Sequence, residues 1–374
     1  MNSCTRSRLA FALCLAVARA TTGATAPSTL QQLADTIGPP SARQAIGGVA
    51  ARAEATGPRG AFVSEMLSLA DGSARFRLTK NGETTELLVA GTTPYERSAA
   101  ANGGRFAPAD PALASFVRGH EVHRMLLDLE RRFRPAQGPV PPGCLALRGP
   151  DGLPATLCRG ADSELPASIA LELPAAAGGG SVTLELADWR SLPAAPQVQL
   201  PFAVDFLHGS ERHAYRYTAV LPFRLAPGVS LPEAPDTLFA RLDDLAALAA
   251  AHERALEAHR RSDVRMLLAD AGERTTSSGR GVLKELGREE LAARLGPYLE
   301  STRFSRYEDV ATPVIALSAD GSLGWLACQI EAAGLQQPAN GPAESIAFGF
   351  SWIELYARQD GAWRSIGNAS SARP

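Results

Sequence analysis

Beyond its first residues, the 374-residue sequence has no run approaching the roughly 20 consecutive apolar residues that cross a bilayer, so no later transmembrane helix is expected. Net charge is equally scarce. The balance of 37 basic against 39 acidic residues gives −2 at pH 7, which provides no broad attraction to nucleic acid or to an anionic membrane. Lysine is nearly missing, with only Lys80 and Lys284. The arginine, alanine, glycine and proline bias is that of a GC-rich bacterial coding sequence and not a phosphate-binding code. No GxSxG element supports a hydrolase. Gly47-Gly48 and Gly178 to Gly180 lack the strand-to-helix setting of a nucleotide loop. His120-Glu121-Val122-His123 is not HExxH and reads as surface histidines, and His208 and His213 bracket a turn. No cofactor and no metal are expected.

The amino terminus carries the clearest local pattern. Arg6 and Arg8 precede the apolar run Leu9 to Val17, and small residues follow with Ala-x-Ala options at Ala18/Ala20 and Ala24/Ala26. This is the layout of a cleaved secretory signal over residues 1–26, with a periplasmic or secreted product. A lipoprotein signal is the weaker reading, because Leu13 before Cys14 replaces the small residue it needs. After cleavage Cys144, Cys158 and Cys328 remain. The first two flank Asp151-Gly152 symmetrically in CLALRGPDGLPATLC, a hairpin-like arrangement. They are either a disulfide formed under oxidising conditions or two small apolar residues on paired strands. Cys328 reads as a buried small hydrophobe.

Two patterns divide the rest. From about 27 to 225, short strand-like runs alternate with turns: Ala61 to Leu69, Ala74 to Leu78, Thr84 to Val89 after Asn81-Gly82, Ser181 to Leu186, Val204 to Leu207 and Tyr215 to Val220. Helices are expected near Leu30 to Ile37, at Ala42 to Ala55, and as one long element from Pro111 to Phe133. Residues 226–236 (APGVSLPEAPD) read as a proline-rich linker. Then Asp236 or Thr237 caps a helix to about Arg261, with Leu238, Leu242, Leu245, Ala249 and Leu256 on one face. Shorter helices follow near Val264 to Leu268 and Arg288 to Leu299, and then strands Val314 to Leu317, Leu323 to Ile330, Ala347 to Tyr356 and Trp363 to Gly367. Helices first and a strand meander afterwards make an α+β layout.

The run RYEDVATPVIALSADGSLGWLACQIE, followed by FGFSWIELYARQDGAWRSIGNASS, resembles the SnoaL-like branch of the NTF2-like superfamily, and AHERALEAHRRSDVRMLLAD looks like its first two helices. Residues 237–374 would then form a cone of curved sheet, its last hairpin turning at Asp360-Gly361-Ala362-Trp363. DGLPATL, VTLELADWRSL and VQLPFAVDF resemble LolA-like, lipoprotein-carrier-like half-barrels, which would make residues 27–225 a curved antiparallel sheet around helices. The expected architecture is therefore two curved antiparallel sheets, each packed on helices.

A bent sheet leaves a face that helices or a ligand must fill. Strand alternation puts Phe348, Phe350, Trp352, Glu354 and Tyr356 on one face and Ser351, Ile353 and Leu355 on the other. Trp325, Trp352, Glu354 and Tyr356 are the ligand-pocket candidates, although Trp325 and Cys328 share a face only through a bulge. The alternative makes that face an exterior or interface surface. His252 and His259, amid Glu253, Arg254, Arg260 and Arg261, read as a solvated helix face, so no His–Asp pair can be assigned. The expectation is a non-catalytic exported protein binding a lipid, acyl chain or small hydrophobic ligand, with the NTF2-like sheet as an accessory or homodimer surface. The alternative is a SnoaL-like isomerase, hydratase or cyclase acting in the carboxy-terminal cone.

Overall fold

The structure, a computed structural model, describes residues 29–97, 104–149, 152–173, 179–279 and 282–372. The signal-sequence reading at 1–26 lies outside the described residues, as do Asp151 and Gly178. Among the described residues no helix is long and apolar enough to cross a membrane. The fold is α+β.

The first sheet is open and antiparallel. Edge to edge it runs Phe106–Pro108, Thr93–Arg97, Glu83–Ala90, Ala74–Lys80, Gly60–Leu69, Gly48–Gly57, Glu211–Leu225, Ala195–His208, Ser181–Leu192, Pro166–Glu172, Pro154–Arg159, Cys144–Arg148 and Arg134–Pro135. Asn81-Gly82, with φ of 52° and 83°, closes one hairpin in the left-handed geometry that Asx-Gly favours. Cys144 and Cys158 stand directly opposite each other and are joined by a disulfide.

Two helix expectations are corrected. Helix covers only Pro40–Ala45, and Gly48–Gly57 is a strand. Its Ala51, Ala53 and Ala55 are buried while Arg52 and Glu54 point out, and strands pair on both its edges. That double pairing outweighs alanine's helix preference. The single helix expected at 111–133 is three: Pro111–His120, Val122–Leu127 and Leu129–Arg132. The breaks fall at Glu121 and Asp128, which turn inward. Glu121 takes Arg132 at 2.5 Å, and Asp128 takes Arg124 and Arg131, both at 2.8 Å. These helices, with Leu30–Ile37, pack Leu33, Ile37, Met125, Leu126 and Phe133 onto one face of the sheet.

The second half opens with a helix, Pro235–Arg260. Its first residue is proline, following Ala234, so neither Asp236 nor Thr237 is the cap. Proline fits there because its missing N–H has no partner in a first turn. Helices Val264–Ala269 and Arg288–Ser301 flank a hairpin, Ala271–Gly279 with Val282–Gly287, that the sequence pattern did not reveal. The central strand Leu323–Gln336 pairs on one edge with Thr302–Asp309 and Val314–Leu317, and on the other with Glu344–Gln359. Ala362–Ala372 follows, and Ala271–Gly279 joins it in parallel.

The halves are fused. The strand Glu211–Leu225 leaves the first sheet to pair in parallel with Val314–Leu317. The helix Pro235–Arg260 lies between them, its leucines meeting Leu67, Leu69, Leu88 and Phe223 from the first sheet and Ile315, Leu326, Tyr356 and Trp363 from the second. A helix buried on opposite sides needs an apolar surface wider than one stripe, and Phe239 and Leu248 supply it. Polar ties fix the joint: Asp243 holds Arg75 at 2.7 Å and Arg77 at 2.6 Å, and Asp244 accepts from Trp363 Nε1 at 2.9 Å.

Candidate functional site

A cavity of about 220 Å³ lies where the hairpin of Gly48–Gly57 and Gly60–Leu69 meets the helix Pro111–His120 and the strands Ala195–His208 and Glu211–Leu225. Phe62, Leu78, Phe116, His120, Phe206 and Tyr215 form its walls, with Arg59, Lys80, Glu211 and His213 also on the lining. Gly57 lies close against the His213 ring, where a Cβ would meet Nδ1 at 2.5 Å. The rings are arranged edge to face and stacked: Phe62 meets Tyr215 at 5.7 Å, and His120 stacks on Phe206 at 4.7 Å.

His120 is buried, its Nδ1 lying 2.9 Å from the Phe116 carbonyl and its Nε2 3.1 Å from the Tyr215 hydroxyl. Burial lowers its pKa to about 4, so the ring is neutral at pH 7. His123, also buried, points elsewhere, its Nε2 lying 2.9 Å from the Pro201 carbonyl. The surface-histidine reading of this stretch is therefore overturned. Both rings face the core, and protein groups engage them.

A second polar cluster lies under the long helix. His252 Nε2 sits 2.9 Å and 3.1 Å from the two carboxylate oxygens of Asp309, and its Nδ1 has no hydrogen-bond partner among the described residues. Burial alone would lower the histidine pKa, but the charges of Asp309, Glu354 and Glu253 overcome it and raise the value. Ligand atoms of His252, Asp309 and Cys328 lie within 4.8 Å of one another, a nitrogen, oxygen and sulfur donor set that could hold a metal ion. Burial pushes the Cys328 thiol pKa up, with Asp309 and Glu354 adding to the rise, so the thiol is protonated. Both His252 and Asp309 line a crevice of about 50 Å³ between the long helix and Glu211–Leu225. The solvated-face expectation for His252 and His259 is also overturned, since His259 stacks on Tyr307 at 4.2 Å.

Of the residues chosen from sequence, Trp352, Glu354 and Tyr356 share the inner face of their strand with Phe348 and Phe350, while Ser351, Ile353 and Leu355 point out. Trp325 does not join them. The register between Leu323–Gln336 and Glu344–Gln359 has no bulge, so Leu326, Cys328 and Ile330 face inward and Trp325 stands opposite Leu355 on the outer face. On the inner face Phe304, Phe348, Phe350 and Trp352 pack around Leu256, Tyr307 and Ile330, which occupy that part of the hollow. Burial raises the Tyr356 pKa, and the Glu354 carboxylate adds to the rise.

No protein-family model matches the chain, and no curated protein matches it. Among solved structures, a ketosteroid isomerase-like protein from Erwinia carotovora atroseptica is similar at 19% identity, over 35% of this chain and 98% of that one, with a TM-score of 0.28. An NTF2-like protein of unknown function in nutrient uptake from Rhodospirillum rubrum is similar at 17% identity, over 34% and 98%, with a TM-score of 0.28. An NTF2-like protein from Cytophaga hutchinsonii is similar at 15% identity, over 34% and 95%, with a TM-score of 0.28.

Proposed function

We propose that this chain is an exported binding protein of the bacterial envelope that holds a small apolar molecule in the Phe62–Phe116–Phe206–Tyr215 cavity. In this reading the first sheet is a LolA-like half-barrel and the second an NTF2-like cone serving as its accessory. The aromatic lining around about 220 Å³ supports the reading most directly. A dry cavity of about 150 Å³ accommodates benzene, so this one has room for a substituted ring or a short acyl segment. Each buried CH₂ contributes about 0.8 kcal/mol, enough for a small ligand to bind without a dedicated motif. Native mass spectrometry of protein recovered from bacterial periplasm tests this. The expected result is a small adduct that is lost when Leu78→Trp fills the cavity. Unliganded protein from every preparation would count against the proposal.

The second reading is a SnoaL-like enzyme acting on a small hydrophobic substrate, and the buried His252–Asp309 pair favours it. The adjoining crevice of about 50 Å³ has room for water but not for such a substrate. The binding protein is therefore the preferred reading. The outward strip of Trp325, Ile353 and Leu355 is proposed as the surface on which a second copy docks, Ile353 and Leu355 being 46% and 45% exposed.

A further inference from the structure

We infer that the aromatic cavity selects a flat ligand bearing a hydrogen-bond donor, an O–H or N–H, and that the Tyr215 oxygen accepts from it. This rests on the ligand-binding reading above and adds a chemical class to it.

The inference comes from following the protons. The Phe116 carbonyl can only accept, so His120 Nδ1, 2.9 Å away, is the nitrogen that carries hydrogen. The ring is buried against Phe76, Phe116 and Phe206 and is neutral, which leaves Nε2 without a proton. An unprotonated Nε2 is an acceptor. The hydrogen bond at 3.1 Å to Tyr215 must therefore use the phenol's own proton. Tyr215 commits its O–H to His120, and its oxygen is left with lone pairs alone.

The other polar groups on the lining are placed differently. Lys80 Nζ donates to the Arg59 carbonyl at 2.5 Å, and His213 lies 3.5 Å from Glu211. Arg59 and Glu211 are exposed, whereas Tyr215 is buried. The inner end of the cavity thus offers an acceptor between aromatic faces. A ligand bringing only an acceptor there, such as an ether or a carboxylate, meets lone pair against lone pair. One bringing a donor completes the chain from ligand to Tyr215 to His120 to the Phe116 carbonyl. The stacked and edge-on rings around it suit a flat body.

The test titrates the protein with p-cresol and with 4-fluorotoluene, which has nearly the same shape but no donor, and repeats both with the double variant Tyr215→Phe, His120→Phe, which removes the phenol oxygen without freeing the His120 Nε2 acceptor in its place. The ratio of the two affinities should fall about 3- to 10-fold in the variant, the range of one net hydrogen bond, with 4-fluorotoluene little changed. An unchanged ratio overturns the donor inference and leaves the cavity as an apolar site. No binding of either probe to the wild type overturns the ligand-binding reading as well. Should that double variant fail to fold, His120→Phe alone serves instead. It returns the phenol proton to the cavity, so the ratio of p-cresol to 4-methylanisole, an acceptor only, must fall. An unchanged ratio there overturns the inference too.

Discussion

His252 Nε2 bridges both carboxylate oxygens of Asp309, at 2.9 Å and 3.1 Å, with the two side chains only 4% and 7% exposed. The folded pKa of His252 is raised above its ordinary value near 6.5, because Asp309, Glu354 and Glu253 outweigh the opposing effect of burial. A histidine raised on folding contributes its stability fully below about pH 6.5, and that contribution is lost as pH climbs through the raised value. Asp309→Asn removes the partner of a buried charge, so it should cost about 3 kcal/mol at pH 6. It should also flatten the alkaline decline. Urea melts of both proteins at pH 6 and pH 9 check this, and equal midpoints at pH 6 would refute it.

The long helix packs on both sheets, and Asp243 ties Arg75 and Arg77 of the first sheet to it. The chain should therefore unfold in a single calorimetric transition, despite the proline-rich stretch that precedes the helix. Asp243→Ala strands the nearly buried Arg75 and should cost about 3 kcal/mol. Two separated transitions in the wild type would show that the joint does not couple the halves.

The disulfide between Cys144 and Cys158 closes a loop with a sequence separation of 14. Limiting the unfolded chain over such a loop contributes about 3 kcal/mol. The paired change Cys144→Ala, Cys158→Ala should lower stability by that order, and reductant should do the same to the wild type only. Identical melts with and without reductant would contradict this.

If the outer strip of Trp325, Ile353 and Leu355 seats a second copy, Leu355→Lys should convert a dimer to a monomer in sedimentation velocity, leaving the melting temperature within a few degrees. A monomeric wild type would dismiss this contact.

Much of this was legible in the sequence, and some of what was missed was legible too. The Asx-Gly turns and the alternation in Glu344–Gln359 were readable because two-residue periodicity survives wherever one face is buried. His252 and His259 extend the row Leu238, Leu242, Leu245, Ala249, Leu256 at alternating spacings of four and three, so they sit on the buried stripe. Their charged neighbours disguised that. Asp309 could not be recognised as a partner, because the strand Thr302–Asp309 is rich in charge and its pairing with Leu323–Gln336 contains a bulge. The aromatic cavity was invisible for a different reason. Phe62, Phe116, Phe206 and Tyr215 come from four separate elements and meet only through sheet pairing and the placement of a helix. No local pattern encodes such a meeting.

The most direct test of the binding reading is a two-dimensional NMR titration of the protein with p-cresol. The account predicts saturable amide shifts concentrated at Phe62, Leu78, Phe116, Phe206 and Tyr215, and their loss in Leu78→Trp. Shifts centred instead on His252 and Trp352, or none at saturating ligand, would contradict it.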